Sequence, residues 1–531
     1  MKISRRNIIT TSIALGSSTV LPTAKAQAND TLKIAFAARG NATLDPINSI
    51  QGADSWSLIH IHDTLIDSPY GRFAEKPEDF QPRLALSWTM SADAKVWTFK
   101  LRQGVQFHKG YGEMTSEDVV FSLDRVRDPK GGSTKSIFEG ISNVKADGKY
   151  GVVITLKQPD PLFIGGTLTD YTALIMSKKA ILEKGENIKR DPIGTGAYQF
   201  VSLDPDPSKG ILLTANPNYF MGAPKTKNLQ ILYLLDTTAR TLALLSGNVH
   251  MIEGVRAPGW TKSIQQKNPQ MQFDVAAPGS LFTMHFNLSR KPLNDVRVRR
   301  AFAHAIDRDL LVKAMDPISR RTYGLHAPSF PGGLIESNLP TNLQYKFDPE
   351  KAKALLTEAG FPNGFTIDAF TSQREDYKAL MLIVQDQMRK VGVNINLQTI
   401  DHTTFHANNR KDQNSLPQNS SAYPPVPSVP LIENVAKVAE VKSDGTGGQN
   451  YSHYGSLIPG IDELLDQGNK EANYAKRIEI FQRIEKKVLE DLPLLAISTN
   501  GYLIVRDPKV KLGFEVKSGY AYWRLDRAVI S

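Results

Sequence analysis

The sequence predicts an α/β protein built from several domains, and three observations support this prediction. The chain has 531 residues, and at ~100–200 residues per domain this length suggests roughly three domains. Its residues are 41% hydrophobic and 22% charged, a balance typical of globular proteins rather than of disordered or membrane-spanning ones. Residues 349–398 alternate helical and strand-like patterns, which is the order expected of an α/β lobe.

Three local patterns define elements in the first quarter of the chain. Residues 32–37 form a short apolar run that predicts a strand. Residues 95–101 alternate apolar and polar side chains, and with the turn-like 102–104 and the following 105–107 they predict a hairpin. Thr115 precedes acidic residues and then apolar residues at helical spacing, which predicts a capped helix from this point.

The second half of the chain is dominated by helical patterns. Residues 296–315 carry an apolar stripe and predict one surface helix. Its solvated face would hold a basic cluster next to three acids: Arg297, Arg299 and Arg300 with Asp295, Asp307 and Asp309. Asp348 and Pro349 start the next helix, and Gly392 ends a third before a strand at 393–397.

Residues 405–450 differ from the rest because Asn, Gln, Ser and Pro dominate them. A stretch of this length without an evident element is either disordered or a binding loop. Three residues that follow it, Tyr451, His453 and Tyr454, combine flat rings with polar tips. Such side chains suit stacking on a ligand, and buried packing is the alternative.

The first 28 residues resemble an export signal. A positive start precedes a mildly apolar stretch and small residues around Ala26 and Ala28, where cleavage would leave Gln27 or Asn29 first. Arg5 and Arg6 are typical of a twin-arginine signal, and an ordinary secretory signal is the alternative. Removing these residues lowers the formal net charge from +10 to 10 − 4 = +6, since they contain four basic residues and no acid. Export and this mild charge argue against nucleic acid as a partner.

The sequence shows no signature of catalysis, metal binding or cofactor binding. It has no cysteine, and the motifs of serine hydrolases, zinc peptidases and nucleotide-binding loops are missing. Residues 194–196 (Gly-Thr-Gly) are interpreted as a turn. His402 and His406 would share a helix face and His60 and His62 a strand face, but neither pair has a third ligand nearby, so no metal site and no cofactor are predicted.

Nine separated segments can be compared together with known protein families. They are PRLALSW at 82–88, WTFKLRQGVQFH at 97–108, TSEDVVFSL at 115–123, GTGAY at 194–198, NPNY at 216–219, LSG at 245–247, FN at 286–287, DVRVRRA at 295–301 and NYS at 450–452. In this order they resemble one family, the extracytoplasmic solute-binding proteins (family 5) of ABC transporters, which includes dipeptide-, oligopeptide- and nickel-binding proteins. The ordered set is more specific than any single segment.

The resemblance implies a two-lobed periplasmic-binding-protein fold of type II, of the large cluster C type, that closes around its ligand by hinge motion. The expected division is a signal peptide at 1–28, a first-lobe core at 29–70, 190–280 and 485–531, an extra subdomain of that lobe at 71–189, and a second lobe at 281–484. Catalysis is then not expected, although an exported serine peptidase stays as an alternative.

The cargo implied by the resemblance is a dipeptide or short peptide, and a metal chelate, an opine-like conjugate or a glycoside is the alternative. Peptide-binding members place an Asp after an aromatic residue to pair with the peptide ammonium group. Here Tyr423 is followed by Pro424 and no acid, so free amino-group recognition needs another acid, such as Glu433.

The ligand-binding residues expected from the resemblance and from ring chemistry are Gln51, Gly52, Ala53, Thr283, His285, Tyr423, Pro424, Tyr451, His453, Tyr454 and Thr499. The segment around Thr499 and the segment 283–285 are expected near the places where the chain passes from one lobe to the other. The expected partners are a small-molecule or peptide ligand and the ABC permease and ATPase complex at the inner membrane. The expected protein is a periplasmic monomer.

Overall fold

The computed structural model describes residues 30–41, 43–48, 52–128, 135–445 and 447–531. The predicted signal peptide and Gln51 therefore lie outside the described residues. Within the described ranges, no helix combines the length and apolarity needed to cross a membrane.

Twenty strands and fourteen α-helices make up the described chain. The strands are β1 Thr31–Phe36, β2 Ile66–Asp67, β3 Gln81–Pro82, β4 Ala85–Met90, β5 Val96–Leu101, β6 Ile141–Ala146, β7 Gly151–Leu156, β8 Tyr198–Leu203, β9 Ile211–Ala215, β10 Asn228–Tyr233, β11 Met251–Glu253, β12 Gln272–His285, β13 Ser319–Arg321, β14 Phe365–Ser372, β15 Val393–Ile400, β16 Gln418–Ala422, β17 Leu494–Arg506, β18 Val510–Lys511, β19 Ser518–Gly519 and β20 Val529–Ile530. The helices are α1 Gly52–Ile61, α2 Ser116–Arg127, α3 Lys178–Lys184, α4 Thr237–Leu245, α5 Trp260–Lys267, α6 Val296–Ala305, α7 Arg308–Ala314, α8 Pro349–Glu358, α9 Glu375–Lys390, α10 His402–Arg410, α11 Ser428–Val435, α12 Tyr454–Leu457, α13 Ile461–Lys470 and α14 Tyr474–Asp491.

A large mixed sheet runs through both lobes of the molecule. Its strand order is β16-β12-β17-β11-β1-β10-β9-β8, with β13 and β19 attached at its side. The two longest strands, β12 and β17, pair antiparallel from Gln272 with Arg506 to His285 with Leu494. One end of this pair lies among first-lobe strands and the other beside β16, so the pair connects the two lobes.

A separate four-stranded sheet, in the order β4-β5-β7-β6, carries α2 on its apolar face. Thr115 begins α2 as predicted, and its backbone N–H donates to the Asp118 carboxylate at 3.0 Å. The hairpin predicted between residues 95–101 and 105–107 is wrong. β5 pairs with β4 on one edge and β7 on the other, and Gln106 instead forms an isolated bridge with Glu113.

The second lobe confirms the predicted α/β order, since β14 and β15 pair in parallel and α8 and α9 pack beside them. The single helix predicted over 296–315 is wrong. Ile306 is extended, and the Asp307 carboxylate caps a second helix, α7, so the chain bends there. Arg299 is not solvated either: it is 2% exposed and donates to the carbonyl oxygen of Asp491 at 2.6 Å.

The apolar core divides into clusters that parallel the expected domains. One cluster draws only on residues 281–497, a second on 47–193, and a third on the ends of the chain and its middle. The predicted boundary at 484 falls inside α14, whose buried apolar residues all belong to the first of these clusters. We propose that the second lobe continues through this helix. The other predicted bounds stay predictions.

Several of the family-like segments meet in one buried ionic network of the first lobe. Asp63 accepts hydrogen bonds from the hydroxyls of Thr195 at 3.0 Å and Tyr219 at 2.9 Å. Arg83 and Arg524 both reach Asp67, at 3.0 and 2.9 Å. Two arginines thus balance two aspartates, which is the condition for burying such charges.

His60 and His62 also lie in this region, and their predicted placement on a strand is wrong. His60 lies in α1 and His62 follows its end, and both are almost fully buried. The interpretation of residues 194–196 as a turn agrees with their packing. A Cβ on Gly194 would lie 1.9 Å from the Ile61 carbonyl oxygen, so this turn rests directly on the end of α1.

Glu485 of α14 provides a test of burial in the second lobe. Its carboxylate is 1% exposed and accepts the backbone N–H groups of Leu325 and His326, each at 2.9 Å. Burial raises its pKa to about 7. The folded state therefore holds this proton more tightly than the unfolded state, and the stabilisation is complete below the unfolded pKa of 4.5 and lost as the pH rises through about 7.

We expect the free energy of unfolding of Glu485→Gln to lack the decline of about 2–3 kcal/mol that the wild type shows over this pH window. Urea unfolding at several pH values measures this difference. Glu479→Gln, at an exposed position of the same helix, is the control and should retain the decline. Equal pH dependence of Glu485→Gln and the wild type would contradict the assignment.

Candidate functional site

A cavity of about 950 Å³ opens between the two lobes. Its walls come from three parts of the chain: residues 137–171 beside the four-stranded sheet, residues 422–433 and part of α14 in the second lobe, and residues 502 and 520–522 of the first lobe. We call this cavity the cleft. Its volume falls at the upper end of the ~300–1,000 Å³ common for small-molecule sites.

Tyrosines dominate the first-lobe side of the cleft. Tyr520 and Tyr522 stack with ring centroids 5.3 Å apart, and Tyr171 meets Tyr522 edge-on at 5.2 Å. Tyr502 of β17 lines the same cavity, and Tyr423 lines it from the second lobe. Such rings offer flat apolar area with a polar edge, which suits an organic ligand of mixed polarity.

Two carboxylates in the cleft wall, one buried and one half-buried, have no cationic partner in the described part of the chain. Asp170 is 8% exposed and Glu433 is half-buried. Burial raises the pKa of each, and neither forms an ion pair with a described side chain. Desolvated carboxylates of this kind favour a cation brought by a ligand.

The described cations near the cleft are not available to these two carboxylates, because each is paired, stacked on a ring or exposed to solvent. Arg477 of α14 crosses between the lobes, 3.3 Å from the Asp160 carboxylate and 3.0 Å from the carbonyl oxygen of Pro159. Arg256 lies over the Tyr502 ring, 5.4 Å from its centroid, and Lys157 is exposed at the cavity wall. The buried part of the described wall is therefore acidic.

Apolar contacts also join the lobes around the cleft. Phe73 of the first lobe meets Phe330 of the second edge-on at 5.1 Å. Gly166 lies so close to Val426 that a Cβ there would be 3.0 Å from a Val426 methyl carbon. The structure is thus a closed form in which direct contacts between the lobes surround the cavity.

The structure places some of the predicted site residues in or next to the cleft. Tyr423 and Pro424 line it. A polar network lies behind Tyr423: its hydroxyl accepts from Asn434 at 2.9 Å, and Thr283 lies 3.3 Å from the His285 ring, which meets Tyr451 edge-on at 5.2 Å. These residues stay predicted ligand contacts, held in one network beside the cleft wall.

The other predicted site residues lie apart from the cavity wall. Ala53 is buried near the start of α1, which begins at Gly52, and Thr499 is buried in β17. Tyr454 is fully buried and donates to the Asp491 carboxylate at 2.5 Å. His453 lies between the carboxylates of Asp412 at 3.1 Å and Glu440 at 3.8 Å.

Sequence reasoning missed Asp170, Tyr502, Tyr520 and Tyr522. The alternation of Tyr520 and Tyr522 along the chain is the one local signal that places two rings on one face. The rest of the set comes from distant segments. The stretch 405–450, predicted to be disordered or a binding loop, contains α10, β16 and α11, and its residues 422–433 line the cleft.

His402 and His406 lie on α10 as predicted, with ring centroids 4.6 Å apart. No group of three possible metal-binding side chains of the His, Cys, Asp or Glu type occurs within the described ranges.

Arg477 tests how far the closed form depends on the contact between the lobes. In Arg477→Gln the closed form should lose about 1–3 kcal/mol relative to the open form, because Asp160 loses its cation. We expect a larger radius of gyration by small-angle X-ray scattering in the absence of ligand. Arg483→Gln, exposed on the same helix, is the control. Identical scattering from Arg477→Gln and the wild type would argue against this role.

Substitution of His453 tests whether its contacts with two carboxylates stabilise the loop that contains it. Its neighbours Asp412 and Glu440 raise the pKa of the imidazole, so its stabilising effect is complete below the usual value of 6.5 and lost as the pH rises through the raised value. His453 has a φ of 60°, which Asn tolerates, so His453→Asn should remove about 1 kcal/mol of this pH-dependent stability without backbone strain.

Thermal unfolding between pH 6 and 9 measures this effect. His402→Asn is the matched control, since burial lowers the pKa of His402, which is the opposite direction to the shift at His453. If His453→Asn loses stability equally at all pH values, the ionic role of His453 is wrong.

Comparison with known proteins gives one consistent result. The family model for bacterial extracellular solute-binding proteins, family 5 Middle, matches residues 79–432. Heme-binding protein A of Haemophilus influenzae is 24% identical over 96% of this chain and 94% of its own length. The dipeptide-binding protein of Escherichia coli K12 is 30% identical over 60% of this chain and 63% of its own length.

The solved structure of the binding protein MoaA from A. tumefaciens R10, in complex with mannopinic acid, superposes with a TM-score of 0.76. It is 30% identical, and the match covers 94% of this chain and 99% of that one. The two-lobed fold expected from the sequence is confirmed. These relatives are binding proteins rather than enzymes, so the exported-peptidase alternative is rejected. This chain belongs to the family 5 extracytoplasmic solute-binding proteins, the receptors of ABC importers.

Proposed function

We propose that this protein is the receptor of an ABC importer that captures a dipeptide or short peptide in the cleft and delivers it to a membrane permease and ATPase complex. The observation that carries the proposal is the half-buried Glu433, which lies in the same wall as Tyr423 in a cavity of about 950 Å³ and has no cationic partner among the described residues. The family's ammonium-pairing Asp is missing after Tyr423, and Glu433 supplies a carboxylate to the same wall.

The proposed localisation is the periplasm, to which the twin-arginine signal in residues 1–28 would direct the protein. The proposed oligomeric state is a monomer. Closure of the lobes would bury the ligand and present both lobes to the permease together. The contacts between Phe73 and Phe330 and between Arg477 and Asp160 support a closed form of this kind.

A non-peptide cargo is the second candidate, and the similarity to the protein solved with mannopinic acid favours it. An opine-like conjugate contains an amine and carboxylates, so it shares the ammonium chemistry of a peptide. Native mass spectrometry of the protein purified from its own host distinguishes the two, since the mass of the retained ligand identifies its class. Repeated release of a non-peptide ligand would overturn the peptide cargo and leave the receptor role.

Tyr423 provides a direct test of the cleft. In Tyr423→Ala the ring surface facing the cavity is lost, and we expect dipeptide affinity to fall about 10-fold or more by isothermal titration calorimetry. Phe347→Ala removes a 50% exposed ring elsewhere in the second lobe and should leave the affinity unchanged. Equal affinity of Tyr423→Ala and wild type would place the ligand outside this cavity.

A further inference from the structure

A buried and a half-buried carboxylate face the cleft from opposite lobes, and the charge they leave unbalanced points to the chemistry of the cargo. Asp170 belongs to the segment beside the four-stranded sheet, and Glu433 belongs to α11 of the second lobe. A ligand held in the closed cleft would meet both.

Asp170 is well anchored but lacks a counter-charge. The backbone N–H of Thr172 donates to its Oδ1 at 2.8 Å and the Thr172 hydroxyl at 2.6 Å. Both hydrogen bonds go to one oxygen, and no described Lys, Arg or His forms an ion pair with this carboxylate, which is 8% exposed. Burial alone raises its pKa, because no nearby cation opposes the desolvation.

Glu433 has a similar environment on the facing wall. The Gln449 side-chain amide donates to its carboxylate at 3.3 Å. Burial raises its pKa, and no described cation lowers it. Gln449 is itself held by Asn419 and by Ser421, so the carboxylate is fixed in position without being neutralised.

The cations of the described wall do not balance these two charges. Arg477 is already paired with Asp160, and Arg256 lies over the ring of Tyr502. Lys157 is exposed to solvent. Burying a carboxylate without a partner is costly, so a closed form with two of them gains most from a ligand that supplies both counter-charges. The neighbouring faces of Tyr171 and Tyr522 also attract cations.

We propose that the cargo carries two cationic groups, one paired with Asp170 and one with Glu433. This inference rests on the proposed peptide-receptor function, within which it selects basic dipeptides: one cation is the free amino end and the other is a Lys or Arg side chain. A dipeptide with an acidic side chain is the disfavoured class.

The test is isothermal titration calorimetry of the mature full-length protein with Ala-Lys, Ala-Ala and Ala-Glu as probes. The wild type should bind Ala-Lys roughly 30-fold or more tightly than Ala-Ala, and Ala-Glu most weakly. Asp170→Asn and Glu433→Gln preserve the side-chain shapes, and each should weaken Ala-Lys binding by about 30-fold or more. Glu139→Gln, at an exposed position of the same cavity, should not change it.

The two variants differ in their risk of unfolding, because Asp170 is buried whereas Glu433 is half-buried. If Asp170→Asn unfolds, Glu433→Gln still tests the inference. Equal affinity of the wild type for Ala-Ala and Ala-Lys, unchanged in Glu433→Gln, would overturn the inference and leave the peptide receptor intact. Cadaverine, a diamine without a peptide bond, distinguishes a failure of the proposed peptide cargo from a failure of this inference. Binding of cadaverine with no binding of any dipeptide would support the dicationic site and overturn the peptide cargo.

Discussion

The antiparallel pairing of β12 with β17 is the constraint on which the rest of the structure depends. Each strand continues from one lobe into the other, so the hydrogen-bond ladder that stabilises the first lobe also positions the second. The ladder is interrupted near Gly279, whose φ of 69° and close approach to the Asn500 carbonyl oxygen leave no room for a side chain. Tyr502 lies next to this interruption and faces the cleft.

Charge has two opposite roles in the first lobe. In the network of Asp63, Asp67, Arg83 and Arg524, every buried charge has a partner, and the network lies next to Tyr520 and Tyr522. Asp170 is buried on the cleft side without such a partner. Under the proposal of a dicationic cargo, the same residue type is structural where the protein supplies the counter-charge and functional where the ligand must supply it.

Affinity in a two-lobed receptor depends on closure as well as on ligand contacts. The contacts of Phe73 with Phe330 and of Arg477 with Asp160 form between the lobes themselves. They lower the free energy of the closed form whether or not a ligand is present. Less of the free energy of ligand binding is then needed to close the lobes. Ligand selection is then left to the residues that line the cavity.

Sequence patterns were enough to predict several elements, the family and the two-lobed fold. Caps and apolar periodicity act over a few residues, which is why the helices beginning after Thr115 and Asp348 were predictable. The same local reasoning failed at Ile306, where the chain bends, and at Arg299, whose burial depends on α14. Only the tertiary structure decided that Asp170, Glu433 and Tyr520 share one cavity. They come from distant segments, and side chains so far apart in the chain meet only when both lobes have packed.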